Sequence, residues 1–399
     1  LLVTFIFIFL GNNAKASCNV TFSSDNTPTS NMVCADDDTL TVNEGVTLTL
    51  DANYRIDTRG SGSGHGQTPV GDGADNFTLI NNGTIVANNF KTTHITDSTN
   101  ASITNNGTWT TAFGELIILD GHRDDLTLTN KGTINSDQHA AISNYDSGAN
   151  GTITINNSGV ITGGGLNNTS HNPAWIGVIN LGHCVASRVG EGGNFRYCTE
   201  ANTTGNGSNI IDNSGRIEAN NHGVFAIRFN NTVDNTVTNT GSIFGGNEQA
   251  VTVGSSGVGR RIGMDIKVDK CSSTDGRNAC GASGNGTTTI NIGGDAKFRN
   301  GIDFNATNGV IVIRSDLKRD IELNIFDYTD GDGGTELLTI TNNSDHEVTF
   351  LKDQTLTFST GATNAYGSIT NSRKAESGNQ VNRTKVHTGL GDNEINEAA

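Results

Sequence analysis

Apolar residues in this chain stand singly between polar ones, as in Thr152-Ile153-Thr154-Ile155, and a two-residue period is that of a β-strand. One phrase recurs. It reads Leu79-Ile80-Asn81-Asn82-Gly83-Thr84-Ile85, then Ile103-Thr104-Asn105-Asn106-Gly107-Thr108-Trp109, then Leu128-Thr129-Asn130-Lys131-Gly132-Thr133-Ile134. Three further copies are Ile155 to Ile161, Ile211 to Ile217 and Val237 to Ile243. With the glycines aligned, the position four residues earlier is aliphatic and the position two residues earlier is Asn. The position two residues later is apolar. The Asn and Gly columns are Asn81 and Gly83, Asn105 and Gly107, Asn130 and Gly132, Asn157 and Gly159, Asn213 and Gly215, and Asn239 and Gly241.

Successive glycines stand 24 (Gly83 to Gly107), 25 (Gly107 to Gly132), 27 (Gly132 to Gly159) and 26 (Gly215 to Gly241) residues apart. Leucine-rich repeats share such a period but need several leucines per unit. Helical repeats need longer units and an i, i+3, i+4 pattern. One coil per repeat, carrying two or three short strands of β-branched residues, satisfies both the period and the alternation. The fold class expected is all-β: a single-stranded parallel β-helix, or solenoid, of about 24–28 residues per coil. The aliphatic columns would point inward and stack about 4.8 Å apart. Each glycine would take a conformation that a tight corner demands, and each Asn would tolerate left-handed geometry and hydrogen-bond along the stack. The interval from Gly159 to Gly215 is 56 residues, about two steps, and is read as a degenerate coil around Val178-Ile179-Asn180-Leu181-Gly182 plus an insertion.

Composition sharpens this picture. The chain has 399 residues with 51 Gly and 3 Pro, and 33% of it is hydrophobic, so each coil buries little and must lean on its neighbours. A net charge of −16 argues against nucleic acid and against an anionic membrane surface, both of which call for clustered Lys and Arg. The apolar run Leu1 to Leu10, followed by Ala14-Lys15-Ala16, has the form of a signal peptide that starts inside its own N-terminus. The organisation expected is a signal peptide at 1–16, an N-terminal cap at 17–45 and the β-helix at 46–365. Insertions interrupt it near 167–204 and 269–287, and a polar tail or linker occupies 366–399. Export through the periplasm to the cell surface or medium follows, and it suits six cysteines in an oxidising compartment. Cys18, Cys34, Cys184, Cys198, Cys271 and Cys280 allow fifteen pairings, of which three local loops are the most economical.

Stacked Asn-x-Gly-x-Ile units behind a signal peptide resemble the passenger domains of bacterial autotransporters, adhesin-like passengers included. The resemblance covers roughly Asn76 to Gly245. It implies an outer-membrane, cell-surface protein with a structural or adhesive role and a host-cell, matrix or glycan ligand. It also implies a C-terminal outer-membrane β-barrel. No series of amphipathic strands able to form one occurs before Ala399, so such a barrel would lie outside this chain.

Candidate chemistry is sparse. Gly71-Asp72-Gly73-Ala74-Asp75-Asn76-Phe77 matches half of a calcium-binding nonapeptide, but stacked copies are needed to complete an oxygen shell. Asp327, Asp330 and Asp332 form a second acidic turn of the same kind; no cofactor is expected, and calcium is the one ion these turns suggest. His94, His122, His139, His171 and His222 keep no common offset from the repeat. The alternative function is that of a β-helical polysaccharide lyase or hydrolase, which would set acidic groups on neighbouring coils beside Arg or Lys. Asp265, Lys267 and Asp269, and Arg123, Asp124 and Asp125, are such groups, but neither recurs at coil spacing, and a non-enzymatic role is the reading adopted. The aromatic and basic cluster Trp175, Phe195, Arg196 and Tyr197, in a segment held by Cys184 and Cys198, is the candidate binding loop.

Overall fold

The computed structural model describes residues 16–51, 54–58, 73–88, 91–96, 98–112, 114–119, 125–137, 140–144, 151–163, 177–181, 185–187, 197–200, 207–219, 225–229, 234–245, 262–267, 287–299, 302–305, 308–326, 338–352, 369–371 and 384–386. Among these residues there is no helix. Strands pair in parallel into three long sheets of 13, 12 and 8 members, and the chain visits them in rotation. Thr78–Asn81 lies in the second sheet, Thr84–Ala87 in the third and Lys91–Ile95 in the first. Ala101–Asn105 then returns to the second sheet one rung on. The protein is a parallel β-helix with three strands per rung.

Burial follows the alternation. Thr152–Asn157 and Thr84–Ala87 bury every second residue. Leu79, Ile103, Leu128, Ile155, Ile211 and Val237 stack in register from the second sheet. Ile85, Trp109, Ile134, Ile161, Ile217 and Ile243 do so from the third. Ile117, Ile142, Ile179 and Ile227 close the core from the first sheet, and all these side chains are fully buried. Burying each aliphatic side chain contributes roughly 1.5–3 kcal/mol, and a rung gains it only with neighbours on both sides.

The interval between Gly159 and Gly215 holds one rung, contrary to the expectation of two. Ile155 pairs directly with Ile211, and Gly177–Leu181 is the first-sheet strand of that same rung. Strands of all three sheets alternate in the same way, so Val178-Ile179-Asn180-Leu181 looks like a coil of its own until its hydrogen bonds are known. The 24–28-residue period therefore describes the rungs with short connections, and others are lengthened by what they insert.

Residues 17–45, expected as a cap, already carry rungs: Val20–Phe22 pairs with Thr39–Val42, which pairs with Thr78–Asn81. Cys18 and Cys34 occupy the same corner of successive rungs and are joined by a disulfide across a Cα separation of 4.7 Å, the spacing of neighbouring strands. At the other end the third sheet stops at Lys297–Arg299. In the next rung residues 314–320 replace its strand, with Leu317 entering the core. Lys318 Nζ meets Asp295 Oδ2 at 2.7 Å, and the Arg319 guanidinium donates to the carbonyls of Asp295 and Ala296. The other two sheets continue through Ile369–Asn371 and Thr384–Val386, within the segment expected as a polar tail.

Candidate functional site

The corner between the second and third sheets is the most regular part of the molecule. Each repeat Asn is the last residue of its second-sheet strand, and its side chain points into the core. Asn81, Asn105, Asn130, Asn157, Asn213 and Asn239 are buried, and each Nδ2 in turn donates to the Oδ1 of the next at 2.7–2.8 Å. The remaining amide hydrogen reaches a carbonyl of the next rung, as from Asn81 to Thr108 at 3.0 Å. The ladder starts at Asn81 because Val42 occupies its column one rung earlier, and it ends at Asn239 because Ile292 follows. A shorter buried run, Asn209 to Asn235 to the Thr288 hydroxyl, lies two inward positions away, beyond Ile211 and Val237.

The repeat glycines have a different reason from the one expected. None takes a positive φ; among the described glycines only Gly45, Gly114 and Gly294 do. Instead, successive corners stack backbone on backbone. Gly132 N–H and Lys131 N–H both donate to the Asn105 carbonyl, at 3.1 and 2.8 Å. A Cβ at Gly132 would overlap the carbonyl oxygen of Gly107, and one at Gly107 that of Gly83. Among the described non-glycine residues, left-handed geometry belongs to the corner between the first and second sheets, at Asp37, Asn76 and Asn100. There Asn100 Nδ2 donates to Asn76 Oδ1 at 3.3 Å and Asn76 Nδ2 to Asp37 Oδ1 at 3.0 Å.

This stacking keeps the second-to-third corner smooth. From Thr78–Asn81 to Asp234–Asn239 it is bridged each time by two residues. The long connections all leave from the two corners that border the first sheet. Those of more than twelve residues are 58–77, 182–207, 268–286 and 353–368 on one side, with 164–176 and 245–261 on the other. Two pairs of them, 164–176 with 182–207 and 245–261 with 268–286, flank the first-sheet strands Gly177–Leu181 and Ile262–Lys267. Phe225–Phe229, which lies between these in the sheet, has short connections on both sides, and Ile302–Asn305 follows.

Register on that sheet brings together residues that sequence spacing keeps apart. Ser143 is opposite Asn180, Asn180 opposite Arg228, Arg228 opposite Asp265 and Asp265 opposite Asp303. Their chain neighbours Ile142, Ile179, Ile227 and Ile302 belong to the core. Lys267 is opposite Asn305. Asp265, which the sequence leaves without partners at coil spacing, thus has Arg228 on one side and Asp303 on the other. Connections of unequal length hide that relation in the sequence. Ser143 is fully buried and its Oγ has no hydrogen-bond partner among the described residues. Asn180 Oδ1 is likewise sealed from solvent and unpaired.

The other candidates are dispersed. Val185–Ser187 and Tyr197–Glu200 form an antiparallel pair within the longest connection, with Tyr197 opposite Ser187 and Cys198 opposite Ala186. Trp175, Phe195, Arg196, Cys184, Cys271 and Cys280 lie outside the described residues, as do Asp72, Arg123, Asp124, Asp269, Asp327, Asp330, Asp332 and every candidate histidine except His94. His94 is buried in the first sheet. In the acidic turn, Asp75 Oδ1 accepts the Thr99 N–H at 2.9 Å. That backbone bond first, and then the Thr99 hydroxyl, holds its carboxyl below the ordinary carboxylate value. Asp125 Oδ1 similarly accepts the Thr152 N–H, so both carboxylates tie one rung to the next. No group of three or more His, Cys, Asp or Glu disposed to hold a metal occurs among the described residues. Compared with protein-family models, with curated proteins and with solved structures, the chain finds no match in any of the three.

Proposed function

We propose that this chain is an exported, passenger-type β-helix of a bacterial surface, acting as an adhesive scaffold that presents lateral segments to a host-cell, matrix or glycan ligand. The observation that carries the reading is the one-sided placement of its long connections. A solenoid built only for reach gains nothing from segments such as 182–207 and 245–261, which lengthen their rungs. Confining them to the borders of one sheet concentrates variable chain on one side of a rigid rod, the arrangement by which scaffolds position binding loops. The acidic balance of −16 suits a solvated surface rod and discourages lateral self-association.

Attachment of particles coated with the purified full chain to epithelial cells and to matrix proteins tests this reading. A companion variant has 182–207 and 245–261 replaced by the short linkers of neighbouring rungs. The expected result is attachment by the parent and its loss in the variant, with the melting temperature of the rod retained. Parent particles that attach to no cell or matrix surface would refute the reading.

A further inference from the structure

We infer that the outer face of the second sheet is an ice-binding plane, built from two columns of hydroxyl-bearing side chains on five consecutive rungs. This face does not include the long connections, and its ligand does not depend on the adhesive reading above.

Register sets out the plane. The strands Thr39–Val42, Thr78–Asn81, Ala101–Asn105, Leu126–Asn130 and Thr152–Asn157 pair in sequence without a shift. Their inward positions belong to the core and the Asn ladder. One outward column is Thr39, Thr78, Ser102, Thr127 and Thr154; the other, two residues on, is Thr41, Ile80, Thr104, Thr129 and Asn156. Eight of these ten side chains carry a hydroxyl, and all ten reach the surface, Thr127 exposed and the others half-buried. Each of the last four members of the second column immediately precedes a ladder Asn, so the bonds from Asn81 to Asn157 hold its repeat from beneath.

Spacing and chemistry select the ligand. Outward positions recur about 4.8 Å apart from rung to rung and roughly 6.6–6.8 Å apart along a strand. Surface oxygens on a prism face of hexagonal ice repeat at distances of the same size along its two axes. A Thr hydroxyl donates and accepts, as lattice water does. β-Branching restricts χ1, so the hydroxyls are preset and little rotamer freedom is lost on binding. No ionisable side chain stands at the ten positions, in a chain of which 17% is charged. A neutral plane offers a charged macromolecule no complementary field and suits a neutral crystal. The third sheet is also rich in threonine, but its polar groups engage one another. There Thr162 donates to Asn135 Oδ1 and Asn135 Nδ2 to Asp137 Oδ1, both at 2.6 Å. On the second sheet Ile210 and Asp212 interrupt the columns at the sixth rung, and Thr236 and Thr238 resume them.

Thermal hysteresis of the purified full chain, with the habit of ice crystals grown in its solution, tests the assignment. A freezing point depressed below the melting point and faceted crystals are expected. T104Y, which raises a ring out of the plane, should lose most of the hysteresis with the protein's thermal unfolding unchanged. T110Y, the same change on the third sheet, should retain it. The double variant I210T/D212T joins the two blocks of threonine and should increase the hysteresis, a gain that misfolding cannot produce. Rounded crystals without hysteresis from the parent would overturn the proposal. So would an equal loss in T110Y, or no gain in I210T/D212T.

Discussion

Asn105 donates through Nδ2 to Asn130 Oδ1 at 2.8 Å, and Asn130 passes the same bond on to Asn157 at 2.8 Å. An interior member of this ladder is therefore both donor and acceptor, whereas Asn81 at its start has an Oδ1 with no partner. Asn130→Ala should leave one buried donor and one buried acceptor orphaned, at a cost of about 2–4 kcal/mol, and Asn81→Ala about half of that. Urea denaturation of both variants measures the ratio. Equal costs would mean that the ladder is not continuous.

Gly132→Ala should cost about 3 kcal/mol or more, because the added Cβ meets backbone of the preceding rung, which cannot move without disturbing the whole stack. Gly45→Ala is the control: Gly45 has a φ of 75° and open space around its would-be Cβ, so only the left-handed penalty of about 1–2 kcal/mol applies. If the Gly45 variant proved the weaker of the two by calorimetry, close backbone approach would not be the reason for the glycine column.

Ile134 is fully buried in the third-sheet column, while Thr129 lies half-buried on the outer face of the second. Ile134→Ala should lose about 2–5 kcal/mol through lost burial and the cavity left behind, and Ile134→Asp more. Thr129→Ala should stay within about 0.5 kcal/mol of the parent. Similar melting temperatures for the Ile134 and Thr129 variants would reverse the inward assignment.

Asp75 ties two rungs together at the corner between the first and second sheets, and its folded-state pKa is lowered by the Thr99 N–H and hydroxyl. A depressed carboxylate contributes stability that is fully present above its unfolded-state pKa and is lost as pH falls through the folded value. Asp75→Asn should thus melt below the parent at neutral pH, with the difference shrinking to nothing in acid. Melting curves of both proteins across that range check the sign; a difference independent of pH would show that ionisation of Asp75 is not involved.

Alternation and the Asn-x-Gly-x-Ile phrase were enough to define a parallel β-helix and to pick out its inward positions. This is legible because the second-to-third corner is two residues long in all six rungs that carry the phrase, so sequence spacing between Leu79, Asn81, Gly83 and Ile85 maps directly onto place in the rung. The glycine's reason was not legible: a turn glycine and a close-approach glycine read alike until the carbonyl of Gly107 is seen beneath Gly132. Nor was the single rung between Gly159 and Gly215, or the meeting of Arg228, Asp265 and Asp303. Around the first sheet the connections vary in length, and only inter-rung hydrogen bonding decides which strands become neighbours. Local chemistry determined the scaffold because its repeat is local. The candidate site is a matter of register between distant segments, and tertiary structure alone decided it.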